Sequence, residues 1–419
     1  MEKIRQLWEK IVQKGFWKLG LFFALIGPGI ITSNVDNDAG GITTYSLAGA
    51  HYGLKLIWIL IPVTVALIII QEMCARMGVV SGKGLSDLIR ERFGAKITFY
   101  LMIVLFLANL GNTFSEFAGI AASMEIFGIS KYISVPAGAF LVWLMVIKGN
   151  YKSVEKVFLV ACVFYFSYII SGFIVHPDWP AISKASFTPT LDFDTGMLIM
   201  AIGIVGTTIA PWMQFYLQSS IVDKGLKAET YKYSRMDVIF GSITVNVVAF
   251  FIIMLCAVTL FQHGIKIETA KDAALALVPL AGSYAASLFA FGLLNASLFA
   301  ASILPLSTAY TICEAFGWES SLNSKFAEAP QFYGLYSFMI FLGAGFILLP
   351  NVPLIGIMYY SQVINGILLP FILIFMLLLI NDKRIMGNYV NGRFMNIVSW
   401  GTVVILNCLS LAMVISAFF

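Results

Sequence analysis

Long runs of apolar residues, separated by short polar connections, recur along the whole chain of 419 residues. About 20 apolar residues are needed to cross the hydrocarbon core of a bilayer as a helix. By this measure the pattern predicts eleven membrane-spanning helices, two of them interrupted by polar residues. The predicted spans are residues 20–47 (interrupted), 54–76, 97–127, 132–149, 154–175, 195–221 (interrupted), 236–262, 278–316, 331–350, 353–381 and 395–418. Because lipid offers backbone groups no hydrogen-bond partner, we expect an all-α membrane protein.

The composition agrees with this pattern and lies outside the range of soluble domains. Of the residues, 59% are hydrophobic and only 11% are charged. The longest polar connections are each shorter than 20 residues, and they lie at 176–194, 222–235 and 317–330. We therefore expect a single transmembrane domain, residues 1–419, that is a monomer in the lipid bilayer of the plasma membrane.

The distribution of basic residues predicts the orientation of the chain. With a cytoplasmic N-terminus, 21 of the 26 Lys and Arg residues face the inside. Those that fall outside are Lys55, Lys131, Lys184, Lys266 and Lys271. Cytoplasmic loops of membrane proteins carry an excess of Lys and Arg, so this asymmetry favours eleven spans and an extracellular C-terminus. It also accounts for the net charge of +4 without a nucleic-acid partner.

The cysteines give no sign of a disulfide framework. The chain contains an odd number of them, scattered through apolar segments without paired spacing: Cys74, Cys162, Cys256, Cys313 and Cys408. This pattern predicts packing residues and neither disulfides nor metal ligands.

The first predicted span is interrupted by acidic residues at its middle. Residues 27–53 read GPGIITSNVDNDAGGITTYSLAGAHYG, so the interruption contains Asp36, Asn37 and Asp38, followed by Gly40 and Gly41. An acid at the centre of a bilayer helix costs about 2.5–3.5 kcal/mol on insertion scales, so it requires a partner, a water-filled cavity or a cation. The alternative is that the glycines only kink a packed helix. The side chains of Asp36 and Asn37 could point toward helix packing or toward an outer vestibule.

The sixth predicted span has a similar interruption, at residues 203–211, which read GIVGTTIAP. Two interrupted helices in corresponding positions are typical of transporters built from two inverted five-helix repeats, with the substrate held between the breaks. The repeats would comprise residues 20–175 and 195–381, followed by an extra helix at 395–418. Unwound backbone frees carbonyl oxygens that can bind cations, and Pro211 removes one backbone donor. Pro211 alone could equally be a simple kink.

Short motifs along most of the chain match one known family. The first span carries Gly-Pro-Gly at 27–29, Asp-Ala-Gly-Gly at 38–41 and Ala-Gly-Ala-His-Tyr-Gly at 48–53. Further family-like motifs lie at 82–92, 116–119, 361–363, 369–371 and 381–387. In this pattern the chain resembles the Nramp (natural resistance-associated macrophage protein) divalent-metal transporters, whose motif at 38–41 usually reads DPGN. The resemblance implies the LeuT-like fold of sodium-coupled amino-acid symporters, with broken helices 1 and 6.

The resemblance also implies a metal site, but one whose composition differs from that of the family. Family members bind the metal through the Asp and Asn of DPGN, a methionine before the proline of span 6, and nearby carbonyls. Here the Asp is Asp38, whereas Gly41 and Ala210 stand at the Asn and Met positions. The implied metal-site residues of this chain are Asp38, Val35, Thr207, Gly41, Ala210 and Gln362, with Val35 and Thr207 acting through their carbonyls.

The loss of two family side chains predicts a preference for a hard, hydrated ion. A thioether helps a site to prefer Mn²⁺ and Fe²⁺, and Ala210 lacks it. Without side chains at Gly41 and Ala210 we expect a wide, oxygen-lined cavity, which suits Mg²⁺ because this ion keeps several waters. The sequence therefore resembles the Nramp-related magnesium transporter branch, and it predicts import of Mg²⁺ by alternating access, with Mn²⁺ also accepted and no cofactor.

The chain offers few residues for the proton relay that the family uses. All the histidines lie near predicted outer ends of spans: His51, His176 and His263. Thr113 and Ala344 replace a family Asp and Arg. Glu116 is kept, and it is either a neutral, hydrogen-bonded acid or part of a path to the site. We expect uncoupled transport driven by the membrane potential, which is worth about 4.6 kcal/mol for two charges through 100 mV.

Other classes of function remain open at this point. A proton-coupled Mn²⁺/Fe²⁺ transporter would use the same site, and a sensor that does not transport also fits. A sodium-coupled small-molecule symporter is disfavoured because Asp36 and Asp38 would repel a substrate carboxylate. A membrane-bound metalloenzyme would need a ligand cluster such as HExxH, which the sequence lacks, so we expect no enzymatic activity.

Overall fold

The computed structural model describes residues 32–33, 35–148, 162–190, 194–322 and 324–418, and this part of the chain is helical without strands. Its α-helices are α1 Ala39–Tyr52, α2 Leu60–Ser81, α3 Leu85–Phe93, α4 Ala95–Ile126, α5 Lys131–Ile147, α6 Phe166–Ile174, α7 Trp179–Phe187, α8 Thr195–Thr208, α9 Pro211–Asp223, α10 Tyr231–Thr259, α11 Ala270–Ala274, α12 Val278–Ala281, α13 Ala285–Phe316, α14 Pro330–Ile347, α15 Leu354–Ile380, α16 Lys383–Met386 and α17 Arg393–Phe418. Short 3₁₀ turns join several of them. An all-α bundle is thus confirmed.

Eight helical segments of the described chain are long and apolar enough to cross a membrane. They are Ile57–Ser81, Ala95–Ile126, Thr195–Asp223, Ala228–His263, Ala270–Phe316, Pro330–Ile347, Leu354–Ile380 and Arg393–Ala412. These segments correspond to the second, third and sixth to eleventh predicted spans. The fourth, Lys131–Ile147, is a shorter apolar helix. The first and fifth predicted spans, and the motif at 27–29, lie partly or wholly outside the described residues, so the total of eleven stays a prediction.

Short amphipathic helices, which a search for spans does not predict, lie between some of the predicted spans. α3 lies between the second and third predicted spans, and α7 lies in the polar connection 176–194. In α3 the apolar side chains of Leu85, Leu88 and Ile89 are buried, which explains why so short a segment folds as a helix. The predicted span 278–316 is also not one helix, since a 3₁₀ turn at Gly282–Tyr284 separates α12 from α13.

Two glycines allow α8 and α15 to cross in direct backbone contact. A Cβ on Gly206 would overlap the carbonyl oxygen of Gln362 and the backbone of Gly366, and a Cβ on Gly366 would overlap the carbonyl oxygen of Ile202. Small residues are the usual means by which membrane helices approach this closely. The crossing holds the break after α8 beside the polar face of α15.

Hydrogen bonds from a buried arginine, which is also ion-paired within α2, join α2 to the segment that follows α15. Arg76 Nη2 lies 3.1 Å from Glu72 Oε2, and Arg76 Nη1 donates to the carbonyl oxygen of Tyr389 at 2.8 Å. Arg76 also donates to Asn391 Oδ1, and Tyr231 donates to the second oxygen of Glu72. Because every charge here has partners, the cluster is structural.

Three of the four cysteines whose side chains are described are buried, as expected of packing residues, and the fourth is exposed. Cys74, Cys256 and Cys313 are buried free thiols, and Cys408 is an exposed free thiol. The side chain of Cys162 lies outside the described part of the structure.

Candidate metal-binding site

The first break separates a helical segment from α1. Residues 35 and 36 are helical, whereas Asn37 and Asp38 are not. Asp38 is the N-cap of α1, and its Oδ1 accepts a hydrogen bond from Gly41 N at 2.7 Å. Aspartate is a preferred N-cap because it satisfies a free backbone donor of the first turn. Asp38 is only 4% exposed, so this cap is buried.

The second break separates α8 from α9. α8 ends at Thr208, Ala210 is extended with ψ 139°, and α9 starts at Pro211. Proline has no N–H to donate and its ring excludes a continuous helix, so the break follows directly from the sequence. Thr208 Oγ1 donates to the carbonyl oxygen of Ile204 at 2.7 Å, whereas Thr207 Oγ1 is buried without a hydrogen-bond partner in the described chain.

The two breaks meet at the centre of the bundle. Tyr45 of α1 and Thr208 of α8 share a hydrogen bond of 2.8 Å between their hydroxyls. A Cβ built on Gly41 would overlap the carbonyl oxygen of Asp36 and lie 3.2 Å from Thr207 Oγ1. The predicted residues Asp38, Gly41 and Thr207 therefore lie together.

This geometry corrects one sequence-based expectation. Gly41 does not leave a wide cavity where the family has an asparagine, because the backbone of Asp36 and the hydroxyl of Thr207 fill that space. Ala210 is likewise buried, with 2% exposure. With the Gln214 amide oriented to satisfy its hydrogen bonds, its nitrogen donates to the carbonyl oxygens of Ala210 at 2.6 Å and Pro211 at 2.8 Å. The argument for Mg²⁺ from a widened cavity therefore fails at Gly41.

Gln362 lies against the first break, with its amide nitrogen facing Gly40. Its Nε2 occupies the space that a Cβ on Gly40 would fill. Its Oε1 accepts from Asn365 Nδ2 at 2.9 Å, and Asn365 exchanges a pair of hydrogen bonds with Asn112 of α4 at 2.9 and 3.0 Å. Gln362 is thus held in place by Asn365 of its own helix α15, which is in turn held by Asn112 of α4. Val35, the remaining predicted residue, is buried at the end of the first helical segment.

Glu116 is the residue whose place the sequence left open, and it lies at the site. Its Oε2 accepts a hydrogen bond from Ala39 N at 3.3 Å, directly beside Asp38, while its Oε1 is buried without a partner in the described chain. Its side chain is fully buried. The family-like motif at 116–119 was the available signal, but only the fold shows which backbone group the acid contacts.

The arrangement is suited to a hard cation. The groups brought together are carboxylate, hydroxyl, amide and carbonyl oxygens, which are ligands that Mg²⁺, Ca²⁺ and Mn²⁺ accept. Among the described residues no group of three or more His, Cys, Asp or Glu side chains is placed to hold a metal. All histidines are exposed: His51, His176 and His263. Any ion here would be held by one or two carboxylates and by neutral oxygens.

Comparison with solved structures identifies the class of protein to which this fold belongs. A structure described as the Eremococcus coleocola manganese transporter, in complex with an aromatic bis-isothiourea compound, matches with a TM-score of 0.78 at 22% identity, covering 94% of this chain and 86% of that chain. Mhp1, a nucleobase-cation-symport-1 family transporter, matches with a TM-score of 0.55 at 13% identity, covering 94% and 93%. The chain therefore shares its fold with these two transporters.

The sequence comparisons identify the family. The model of the family described as natural resistance-associated macrophage protein-like matches residues 29–416. A divalent metal cation transporter MntH from Granulibacter bethesdensis is 26% identical over 415 residues, covering 96% of this chain and 90% of the relative. The chain belongs to the Nramp family. Members of this family are membrane transporters and not enzymes, and they need no cofactor because the metal is their substrate.

Proposed function

We propose that the chain carries divalent metal ions across the plasma membrane by alternating access. The observation that supports this most directly is the meeting of two broken helices around buried oxygens without hydrogen-bond partners. In the proposed site the ion is bound by the Asp38 carboxylate, the carbonyls of Val35 and Thr207, and Gln362. Gly41 and Ala210 line the site without side-chain ligands. A sodium-coupled symporter for small carboxylates is disfavoured, because such a substrate would face buried Asp36 and Asp38.

Mn²⁺ is the substrate that the relatives favour. The curated relatives are named divalent metal cation transporters, and the similar solved structure is described as a manganese transporter. Mn²⁺ accepts carboxylate, carbonyl and water ligands, all of which this site offers. The space around Gly41, which is filled and not wide, also removes one argument for a strongly hydrated ion.

Mg²⁺ remains a second candidate because of Ala210. The family has a thioether at this position, and a soft ligand helps to exclude Mg²⁺ and Ca²⁺. With Ala210 in place, the proposed donors of this site are all oxygens. We therefore propose that Mn²⁺ is carried and that Mg²⁺ competes for the same site.

The proposed transport is not coupled to protons. Glu116 supplies one titratable group beside Asp38, but its helix neighbours Asn112 and Thr113 carry an amide and a hydroxyl that do not titrate. The histidines are exposed, whereas the residues at the breaks are buried. We expect the membrane potential to drive uptake, with a cytoplasmic N-terminus, an extracellular C-terminus and a monomeric protein.

Uptake into liposomes that contain the purified full chain tests the proposal. An inside-negative potassium diffusion potential is imposed, and Mn²⁺ entry and internal pH are followed together. We expect uptake that accelerates with the potential, competition by external Mg²⁺ and no internal acidification. Protein-free liposomes are the control. Absence of Mn²⁺ and Mg²⁺ uptake would contradict metal transport, and acidification in step with metal entry would contradict the uncoupled mechanism.

The Ala210→Met variant tests the origin of metal preference. A thioether at this position should raise the ratio of Mn²⁺ to Mg²⁺ affinity by up to about tenfold, or about 1.4 kcal/mol, because sulfur stabilises the softer ion. Competition binding to purified protein measures the ratio. Ala185→Met on α7 is the matched control, since Ala185 is only partly buried and lies outside the proposed site. An unchanged ratio in Ala210→Met would show that selectivity arises elsewhere.

A further inference from the structure

We propose that Asp36 supplies a second carboxylate to the cation site and so replaces the amide side chain that the family has at position 41. The inference rests on the proposed function, since it takes the meeting of the two helix breaks as the cation site. It assigns a direct contact with the ion to a residue that the family-like motif at 38–41 does not include.

Asp36 is a buried acid without a compensating partner among the described residues. It is 2% exposed, and neither Oδ1 nor Oδ2 has a hydrogen-bond partner there. Burial of a carboxylate without hydrogen bonds is unfavourable, and coordination of a metal is one of the ways in which proteins satisfy it. We therefore assign the unpartnered oxygens of Asp36 to a bound ion.

Asp36 and Asp38 differ in how far the described residues satisfy them. Asp36 is the last helical residue described before the break, and neither of its carboxylate oxygens has a partner among the described residues. Asp38 caps the start of α1 and accepts a hydrogen bond from Gly41 N. Asp38 is thus partly satisfied, and Asp36 has its oxygens available for an ion.

Asp36 borders position 41, where the family has an asparagine ligand and this chain has glycine. The backbone oxygen of Asp36 fills the space of a side chain at position 41, and Thr207 Oγ1 lies at the edge of the same space. Thr207 Oγ1 and Asn37 Oδ1 are also buried without partners in the described chain. An unsatisfied hydroxyl therefore lies beside the point where the family places an amide, and unsatisfied side-chain oxygens of Asp36 and Asn37 belong to the segment that borders it. Two carboxylates with neutral oxygens form a usual site for Mg²⁺ or Mn²⁺.

Binding of Mn²⁺ to the purified full chain, measured by titration calorimetry, tests the proposal. We expect Asp36→Asn to raise the Kd for Mn²⁺ by about tenfold or more, because the number of ligand charges tunes affinity. Asp178→Asn is the matched control: it makes the same chemical change at an exposed helix N-cap on α7, where Asn caps equally well, and should leave the Kd unchanged. Asp38→Asn is measured alongside.

Thermal unfolding distinguishes a ligand from a structural residue. Without metal, Asp36→Asn should melt at the same temperature as the unchanged protein or higher, because the substitution keeps the size of the side chain and removes no hydrogen bond to the described residues. The rise in melting temperature on adding Mn²⁺ should shrink. A lower melting temperature without metal, together with an unchanged Mn²⁺-induced rise, would show a structural role and overturn the proposal.

Asp36→Cys tests direct contact. A thiolate at this position should bind Cd²⁺ and produce a thiolate-to-Cd²⁺ charge-transfer absorption in excess of that of the unchanged protein, whose own free cysteines provide the baseline. Bound Cd²⁺ without this absorption would overturn the proposal. If Asp36→Asn binds Mn²⁺ normally while Asp38→Asn does not, Asp36 is excluded and the proposed site stands. If neither variant changes binding, both the inference and the proposed site fail.

Discussion

Asp38→Asn is expected to raise the Kd for Mn²⁺ roughly 100-fold, equivalent to about 2.8 kcal/mol of binding free energy. It should also abolish Mn²⁺ uptake into liposomes. The substitution removes the charge that the proposed site directs at the ion. It keeps the N-cap of α1, because Asn is as good an N-cap as Asp and can still accept from Gly41 N. Calorimetry and liposome uptake measure the two losses. Asp38→Ala should add a loss of about 0.5–2 kcal/mol in folding stability, because alanine removes the cap as well.

A second N-cap aspartate supplies the control for Asp38. Asp194 caps α8, where its Oδ2 accepts from Met197 N at 3.2 Å, and it is exposed. Asp194→Asn therefore changes the same charge at the same kind of helix position, away from the breaks. We expect its binding and uptake to match those of the unchanged protein. Equal behaviour of Asp38→Asn and Asp194→Asn would contradict the proposed site.

Gly206→Ala is expected to destabilise the folded protein by about 3 kcal/mol and to eliminate transport. The added methyl group would overlap the backbone of α15 at Gln362 and Gly366, and backbone atoms cannot rotate away as a flexible side chain can. The two helices must separate, and Gln362 then leaves its place beside Gly40. Thermal unfolding in detergent and Mn²⁺ uptake measure the effect.

Gly334→Ala is the matched control for Gly206→Ala. Gly334 is a helical glycine in α14, and nothing lies within 4 Å of a Cβ built there. Alanine has a higher helix propensity than glycine, by about 0.8–1.0 kcal/mol, so this variant should unfold at the same temperature as the parent or higher. Similar melting temperatures for both variants would show that the crossing of α8 and α15 adapts to a methyl group.

The spans and the breaks could be predicted because each is encoded locally. Apolar length defines a membrane helix, Pro211 excludes a continuous helix, and Asp38 with Gly40 and Gly41 marks an unwound segment. The resemblance to the family then pointed to Thr207 and to Gln362. The structure places these residues together, as the sequence predicted from two breaks in corresponding positions.

Which residues meet at the site depends on contacts between distant segments, and a local sequence pattern does not predict these contacts. Glu116 reaches the backbone of Ala39 across 77 positions of sequence, and Asn365 reaches Asn112 across 253. The space at Gly41 depends on how the chain turns after Asp36, so a missing side chain was wrongly taken for an open cavity. Packing between distant segments determined each of these outcomes.

In the proposed site, the pair of acids at the first break would determine which half of a transport cycle the membrane potential acts on. With Asp36 and Asp38 both ionised around a divalent ion, the loaded site would be electrically neutral, and the potential would exert little force on its movement. If both acids stayed ionised after release of the ion, the unloaded site would carry two negative charges. An inside-negative potential drives these charges outward, with up to about 4.6 kcal/mol available per 100 mV. The voltage would then accelerate the return of the empty carrier and not the inward step of the metal.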